Sequence, residues 1–133
     1  MRKRLNAIML IDDNPHDNFF HQRVIKKTDA ASLIIVKTKA QDAIDHLRAN
    51  DPSQPEFPDL IFLDINMPGM NGWEFLDEFK KLDKGKQSPI MVMLTTSNNP
   101  DDRKKAEDTG LIIDFKSKPL TAPVLQDVID RFF

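Results

Sequence analysis

Five short runs of apolar residues punctuate the sequence, and longer amphipathic segments separate them. The runs are AIMLI (7–11), LIIV (33–36), LIFL (60–63), IMVML (90–94) and LIIDF (111–115). They are continuous rather than alternating, which is typical of parallel strands that are buried on both faces. The fifth run is the exception, because Asp114 and Lys116 suit a strand with one wet side. We therefore expect the fifth strand at an edge of the sheet.

The segments between the runs carry helix start signals. Each signal is a side chain that can accept a hydrogen bond from the first helical turn. The signals are Asn14-Pro15 with Asp17, Thr38 with Gln41, Asn71 with Glu74, and Asn99-Pro100. Gly110 is a typical stop for the fourth helix, and the apolar stripe at 124–132 predicts a fifth. Strand and helix thus alternate five times, which predicts an α/β fold with helices on both faces of a parallel sheet.

Composition narrows the class of protein. The 133 residues fit one domain, and the loops at 50–58 and 83–89 are too short to be domain linkers. A formal net charge of -2 gives no reason to expect a nucleic-acid or membrane partner, and the absence of cysteine excludes disulfides and thiolate chemistry. The apolar run at 7–11 is too short for a signal peptide or a membrane span. We expect a cytoplasmic protein.

Polar side chains that could form a common site lie just after four of the five predicted strands. They are Asp12 and Asp13 after the first, Asp64 after the third, Thr95 and Thr96 after the fourth, and Lys118-Pro119 after the fifth. Ligands of open α/β sheets bind outside the carboxyl ends of the strands. The second strand ends in Lys37-Thr38 and adds nothing obvious, as expected for a strand at the far edge. We therefore expect three carboxylates, a hydroxyl and an ammonium at one end of the sheet.

Three carboxylates in one place require compensation. Two of them about 5 Å apart repel by roughly 3 kcal/mol at an effective dielectric constant near 20. Lys118 can balance only one, so the surplus predicts a bound hard cation, and Mg²⁺ fits best because it takes few carboxylates. A metal, a lysine and a hydroxyl around one acid suit a phosphoryl group. Asp64 on the central strand is the candidate acceptor of an aspartyl-phosphate.

The polar residues occur in a recognisable order. The order is Asp12-Asp13, then Asp64 within LDINMPG, Gly72 at the next helix, Thr95, and Lys118-Pro119. This set resembles the receiver domain of two-component response regulators over nearly the whole chain. The resemblance implies a flavodoxin-like, doubly wound five-stranded sheet with strand order 2-1-3-4-5. It also implies that 1–133 form a single receiver domain.

The resemblance further implies roles at the metal and the acceptor. Asp64 accepts a phosphoryl group from a histidine kinase or a histidine phosphotransfer protein. Asp13 and Asp64 ligate Mg²⁺ directly, the backbone carbonyl of Asn66 is a third ligand, and Asp12 acts mainly through water. Lys118 binds a phosphoryl oxygen, and the peptide bond before Pro119 is expected to be cis.

The switch itself is implied in the same way. Thr95 donates its hydroxyl to the phosphoryl group, and Phe115 takes up the space that this movement vacates. The surface of the fourth helix, fifth strand and fifth helix is then remodelled. Tyrosine is frequent at the position of Phe115, which has no hydroxyl, so coupling here would operate by packing.

The leading hypothesis is a stand-alone signalling switch, not an enzyme beyond its own phosphorylation and dephosphorylation. It would act on an unknown downstream protein as a monomer or a weak dimer. One alternative is an aspartate-nucleophile phosphohydrolase, whose motif is Asp-x-Asp; here Asn66 occupies the second place and cannot act as a general acid. Another is a degenerate receiver that binds its partner without phosphorylation. His16, His21 and His46 are expected on helix surfaces rather than at a metal.

Overall fold

The computed structural model describes residues 4–133, in which strands and helices alternate along the chain. The strands are β1 Leu5–Ile11, β2 Ala31–Lys37, β3 Leu60–Leu63, β4 Ile90–Thr95 and β5 Ile112–Ser117. The helices are α1 Pro15–Thr28, α2 Ala40–Ala49, α3 Gly72–Phe79, α4 Pro100–Thr109 and α5 Ala122–Phe132, with a short 3₁₀ helix at Lys84–Gln87. All strand pairs are parallel, in the order β2-β1-β3-β4-β5. The predicted fold class and strand order are confirmed.

Alternate residues of each central strand enter two separate cores. Ile8 and Leu10 of β1 face α1 and α5, where they pack with Ile25 and Leu125. Met9, between them, faces the other side of the sheet, where α2, α3 and α4 contribute the second core. Every residue of β3 is buried, whereas β5 exposes Ile113 and lies at the sheet edge. This is the two-sided burial that the continuous apolar runs predicted.

Most of the predicted helix starts are confirmed. Asn14 and Asn99 cap α1 and α4, and Asn71 forms a complete capping box with Glu74 at the start of α3. The prediction of a capping box at Thr38 is wrong, because α2 begins one residue later, after Lys39, without a side-chain cap. Helix α2 is held by its buried face, and tertiary packing supplies most helix stability in proteins.

The parallel arrangement brings the carboxyl ends of β1, β3, β4 and β5 to one edge of the sheet. Asp12, Asp13, Asp64 and Lys118 lie in the loops that leave these strands, and Thr95 is the last residue of β4. Within residues 4–133, no helix has the length and apolar character needed to span a bilayer.

Candidate functional site

Asp64 follows directly on β3, the central strand. Its backbone N–H donates to the Ile11 carbonyl oxygen at 3.0 Å, and its Oδ1 accepts the Ile65 N–H at 2.8 Å. The next helix begins very close by, since a Cβ added to Gly72 would lie 2.7 Å from the Asp64 carbonyl oxygen. The backbone of Asp64 is therefore held between β1 and the start of α3, which leaves Oδ2 to face the other polar groups.

Three of the predicted acids form one cluster. Asp12, Asp13 and Asp64 each offer a carboxylate oxygen, and these oxygens lie within 4.8 Å of one another. Asp12 and Asp64 are buried, whereas Asp13 is exposed. Burial raises the pKa of Asp12 above its ordinary value, although hydrogen bonds from Lys118 and Asn14 oppose this. A hard divalent cation binds carboxylate oxygens and keeps several water ligands. This cluster offers the carboxylate oxygens, and its exposed side at Asp13 admits water.

The Lys118 ammonium lies among the acids. Its Nζ is 2.6 Å from Asp12 Oδ2, 2.8 Å from Asp17 Oδ2 and 3.3 Å from Asp64 Oδ2, and its side chain is only 8% exposed. Burial by itself disfavours the charged lysine, but the carboxylates outweigh it and raise the pKa of Lys118 above its ordinary value. The Lys118-Pro119 peptide is cis, as expected, and the Lys118 N–H donates to the Thr95 carbonyl oxygen.

Asp17 is the site residue that the sequence reasoning missed. It is the third residue of α1, where an acid was expected only to suit the helix dipole. Its Oδ2 contacts Lys118 across 101 positions of sequence, and its side chain is 33% exposed. One signal was available: the first turn of α1 follows directly on Asp12-Asp13, so an acid there lies at the same end of the sheet.

The remaining predicted site residues occupy different environments. Thr95 is the last residue of β4 and is fully buried, and its Oγ1 accepts the Ser97 N–H at 3.2 Å. Asn66 lies exposed in the loop after Asp64. Phe115 is partly buried in β5 and packs against the core beneath α4, where the Arg103 guanidinium lies 5.7 Å from the centre of its ring.

The prediction that all three histidines lie on helix surfaces is wrong for His21. This side chain is 2% exposed and lines a cavity of about 10 Å³ together with Asn18, Asp12 and Asp64. Burial lowers the pKa of His21. Asn18, His21 and Ile25 are spaced three and four residues apart and form the buried face of α1. Helical periodicity therefore predicts the burial of His21 better than its residue type does. His16 is exposed, as expected, and the His46 ring contacts the Glu56 carbonyl oxygen.

Nearly the whole chain matches the model of a known protein family. The family model described as response regulator receiver domain matches residues 8–130. A solved structure titled two component response regulator from Cytophaga hutchinsonii is 33% identical, with a TM-score of 0.87 over 97% of both chains. This similarity extends to the strand order and to the placement of the helices.

Two curated relatives show how such a chain occurs in different proteins. The probable methanogenesis regulatory protein FilR2 of Methanothrix harundinacea is 25% identical over 93% of this chain and 79% of its own length. The sensor histidine kinase CheAY of Helicobacter pylori is 26% identical over 93% of this chain but only 14% of its own length. The similarity to the kinase thus covers one small part of that protein.

Proposed function

The chain belongs to the response regulator receiver family of two-component signalling, and from this premise we propose that it is a phosphorylation-dependent switch with Asp64 as its phosphoryl acceptor. The phosphoryl donor would be a phosphohistidine on a histidine kinase or a histidine phosphotransfer protein. The chain would act as one receiver domain, as a monomer or a weak dimer, on a downstream protein. The similarity to part of a sensor histidine kinase supports a kinase-linked partner.

One observation carries the proposal: the buried Lys118 ammonium lies 3.3 Å from Asp64 Oδ2. In the transfer, an Asp64 carboxylate oxygen forms a bond to phosphorus as the bond from phosphorus to the donor imidazole nitrogen breaks. The electron pair of the broken bond goes to that nitrogen. The acceptor side chain thereby changes from one negative charge to two, and Lys118 is placed to donate to a phosphoryl oxygen. Fixed opposite charges of this kind are the main protein contribution to phosphoryl transfer.

The same acids fit a divalent cation, because three carboxylate oxygens lie within 4.8 Å of one another and Asp13 is open to solvent. Asp13, Asp64 and the backbone carbonyl of Asn66 would hold Mg²⁺, and Asp12 would act mainly through water. When bound, the metal supplies charge neutralisation to the phosphoryl oxygens. One lysine among several acids leaves a surplus of negative charge that such an ion would balance.

Readout would pass from the phosphoryl group through Thr95 to the surface of α4, β5 and α5. Thr95 ends β4, next to β5, and the register pairs Met93 of β4 with Phe115 of β5. Donation of the Thr95 hydroxyl to the phosphoryl group would alter the packing of Phe115 beneath α4. The new dianionic group would thus shift this surface from one conformation to another, and the partner protein would bind only one of the two.

The test is phosphorylation by acetyl phosphate with Mg²⁺, followed by mass spectrometry of the intact protein. We expect a mass increase of one phosphoryl group, lost in Asp64→Asn and in EDTA and retained in Asp77→Asn, a matched change at an exposed acid of α3. Turnover of phosphomonoesters would instead identify a phosphohydrolase. Absence of label under all these conditions would identify a binding module that works without phosphorylation.

A further inference from the structure

The Lys118 ammonium has three N–H groups, and each has a carboxylate nearby. Two of these carboxylates, on Asp12 and Asp64, belong to the acid cluster of the proposed metal site. The third belongs to Asp17 of α1, which lies outside that cluster. Asp17 takes no part in the proposed transfer, yet its contact of 2.8 Å to Lys118 is shorter than the 3.3 Å contact of Asp64.

Asp17 is held in place from its own backbone. Its N–H donates to Asn14 Oδ1 at 3.2 Å, and the Asn14 N–H donates to Asp12 Oδ1 at 2.9 Å. The capped first turn of α1 is thus joined to the Asp12 carboxylate. The Asp17 carboxylate therefore contacts Lys118 from a fixed helical turn rather than from a loop.

The proposed transfer changes the competition for Lys118. A phosphoryl oxygen on Asp64 would need a hydrogen bond from the Lys118 ammonium, whose three N–H groups already face carboxylates. Phosphorylation would also add one negative charge near Asp17, and like charges repel each other. Asp17 opposes the phosphorylated form in both respects, since it attracts the lysine and repels the new charge.

We propose that Asp17 is a positioning residue that holds the Lys118 ammonium toward α1 and thereby limits the degree to which Asp64 is phosphorylated. This inference rests on the function proposed above. Because the Asp17 side chain is one-third exposed, solvent screens its charge, and the effect on the steady-state fraction of phosphorylated protein is modest. Asp17 sets how much of the protein is phosphorylated at a given donor concentration; it does not determine whether transfer occurs.

The first measurement is the ratio of phosphorylated to unphosphorylated protein at a fixed concentration of acetyl phosphate and Mg²⁺. Asp17→Asn is expected to raise this ratio about two- to fivefold, the range of a partly exposed charge contact. Asp17→Glu restores the charge and should return the ratio close to that of the wild type. Asp42→Asn is the matched control, because Asp42 is an exposed acid in the first turn of α2; its ratio should not change.

A second measurement removes the phosphoryl donor from the comparison. Beryllofluoride, a phosphoryl mimic, is titrated in the presence of Mg²⁺. The signal is the fluorescence of Trp73, the partly buried second residue of α3. Asp17→Asn should bind it about two- to fivefold more tightly than the wild type does, with Asp42→Asn again unchanged. If Asp17→Asn does not fold, Asp17→Ser removes the same charge and takes its place in both measurements.

Three results would overturn the inference. A lower ratio in Asp17→Asn would mean that Lys118 needs Asp17 for transfer, and an unchanged ratio would mean that the contact has no influence. A ratio that Asp17→Glu fails to restore would assign the effect to helix structure. Failure of the function itself looks different, because the wild-type protein would then take up no phosphoryl group.

Discussion

At the scale of single residues, the most consequential contact is that of one lysine with three acids. Charged groups taken out of water are tolerated only when they are paired, and removal of one partner leaves the others uncompensated. Lys118 and Asp12 have side chains only 8% and 6% exposed, so neither has much access to solvent. We therefore expect the Lys118 ammonium to stabilise the folded protein.

We predict that Lys118→Met lowers the free energy of unfolding by about 3 kcal/mol in EDTA, because it leaves buried carboxylates without a cation. Mg²⁺ should restore part of this loss. Urea unfolding with and without Mg²⁺ measures both effects.

Lys116→Met is the control for this prediction. Lys116 also contacts two acids, Asp114 and Asp127, but its side chain is 24% exposed and that of Asp127 is 45% exposed. Loss of such a pair costs at most ~1 kcal/mol. Equal losses in the two variants would show that burial of Lys118 contributes nothing beyond an ordinary surface pair.

At the scale of secondary structure elements, the junction between β3 and α3 holds Asp64, the proposed phosphoryl acceptor. The chain leaves β3 at Asp64 and enters α3 at Gly72, whose N–H donates to the Ile65 carbonyl oxygen at 2.8 Å. A side chain at Gly72 would also meet Ile65 Cα at 3.0 Å. Because backbone lies on the opposing side, neither partner can turn away to make room.

We predict that Gly72→Ala destabilises the protein by about 1–3 kcal/mol, as overpacking does in a close-packed core, and reduces phosphorylation of Asp64 by moving its backbone. Gly85→Ala is the control. A Cβ there meets only Pro52 Cγ at 4.0 Å, an ordinary contact. Urea unfolding and mass spectrometry of both variants test the prediction, which fails if Gly72→Ala keeps wild-type stability and labelling.

At the scale of the whole molecule, α1 joins the site to one of the two cores. Its buried face carries Asn18 and His21 near the acids and Ile25 deeper in the core shared with α5. Two polar residues on the buried side of a helix are unusual, since such groups favour water. Protonation of His21 would add a positive charge at this buried position, so the stability of the whole fold should depend on the protonation state of His21.

The sign of this dependence follows from the direction of the pKa shift. Burial lowers the pKa of His21 below 6.5, and Lys118 acts in the same direction, whereas Asp17 and Asp64 oppose it less strongly. The unfolded chain thus binds a proton more readily than the folded protein does. The contribution of neutral His21 to the free energy of unfolding is fully present above pH 6.5. It is lost as the pH falls toward the pKa of His21 in the folded protein, by at most ~1.4 kcal/mol per pH unit.

We predict that urea unfolding in EDTA shows lower stability at pH 5.5 than at pH 7.5, and that His21→Leu makes this difference smaller. His16→Gln replaces an exposed histidine of the same helix and should leave the difference unchanged. An identical pH dependence in wild type and His21→Leu would show that protonation of His21 is not linked to folding.

Much of the fold could be predicted because its signals are local. The run LIFL coincides with β3, and Asn14, Asn71 and Asn99 cap the helices they were expected to cap. Thr38 was the exception, because a capping motif contributes little where a buried face determines the start of the helix. Local motifs predict an element well when they agree with its packing.

The sequence by itself determined that Asp12, Asp13, Asp64 and Lys118 would lie close together and that Thr95 would lie at the same edge of the sheet, at the end of β4. Each lies at or just beyond the end of a strand, and parallel strands present all their carboxyl ends at one edge. Only the tertiary structure decided that Asp17 also contacts Lys118 and that His21 lies buried beneath the acids. These two side chains are carried by a helix, so their surroundings depend on how α1 is rotated against the sheet. That rotation is set by contacts between residues far apart in the chain, which no local pattern contains.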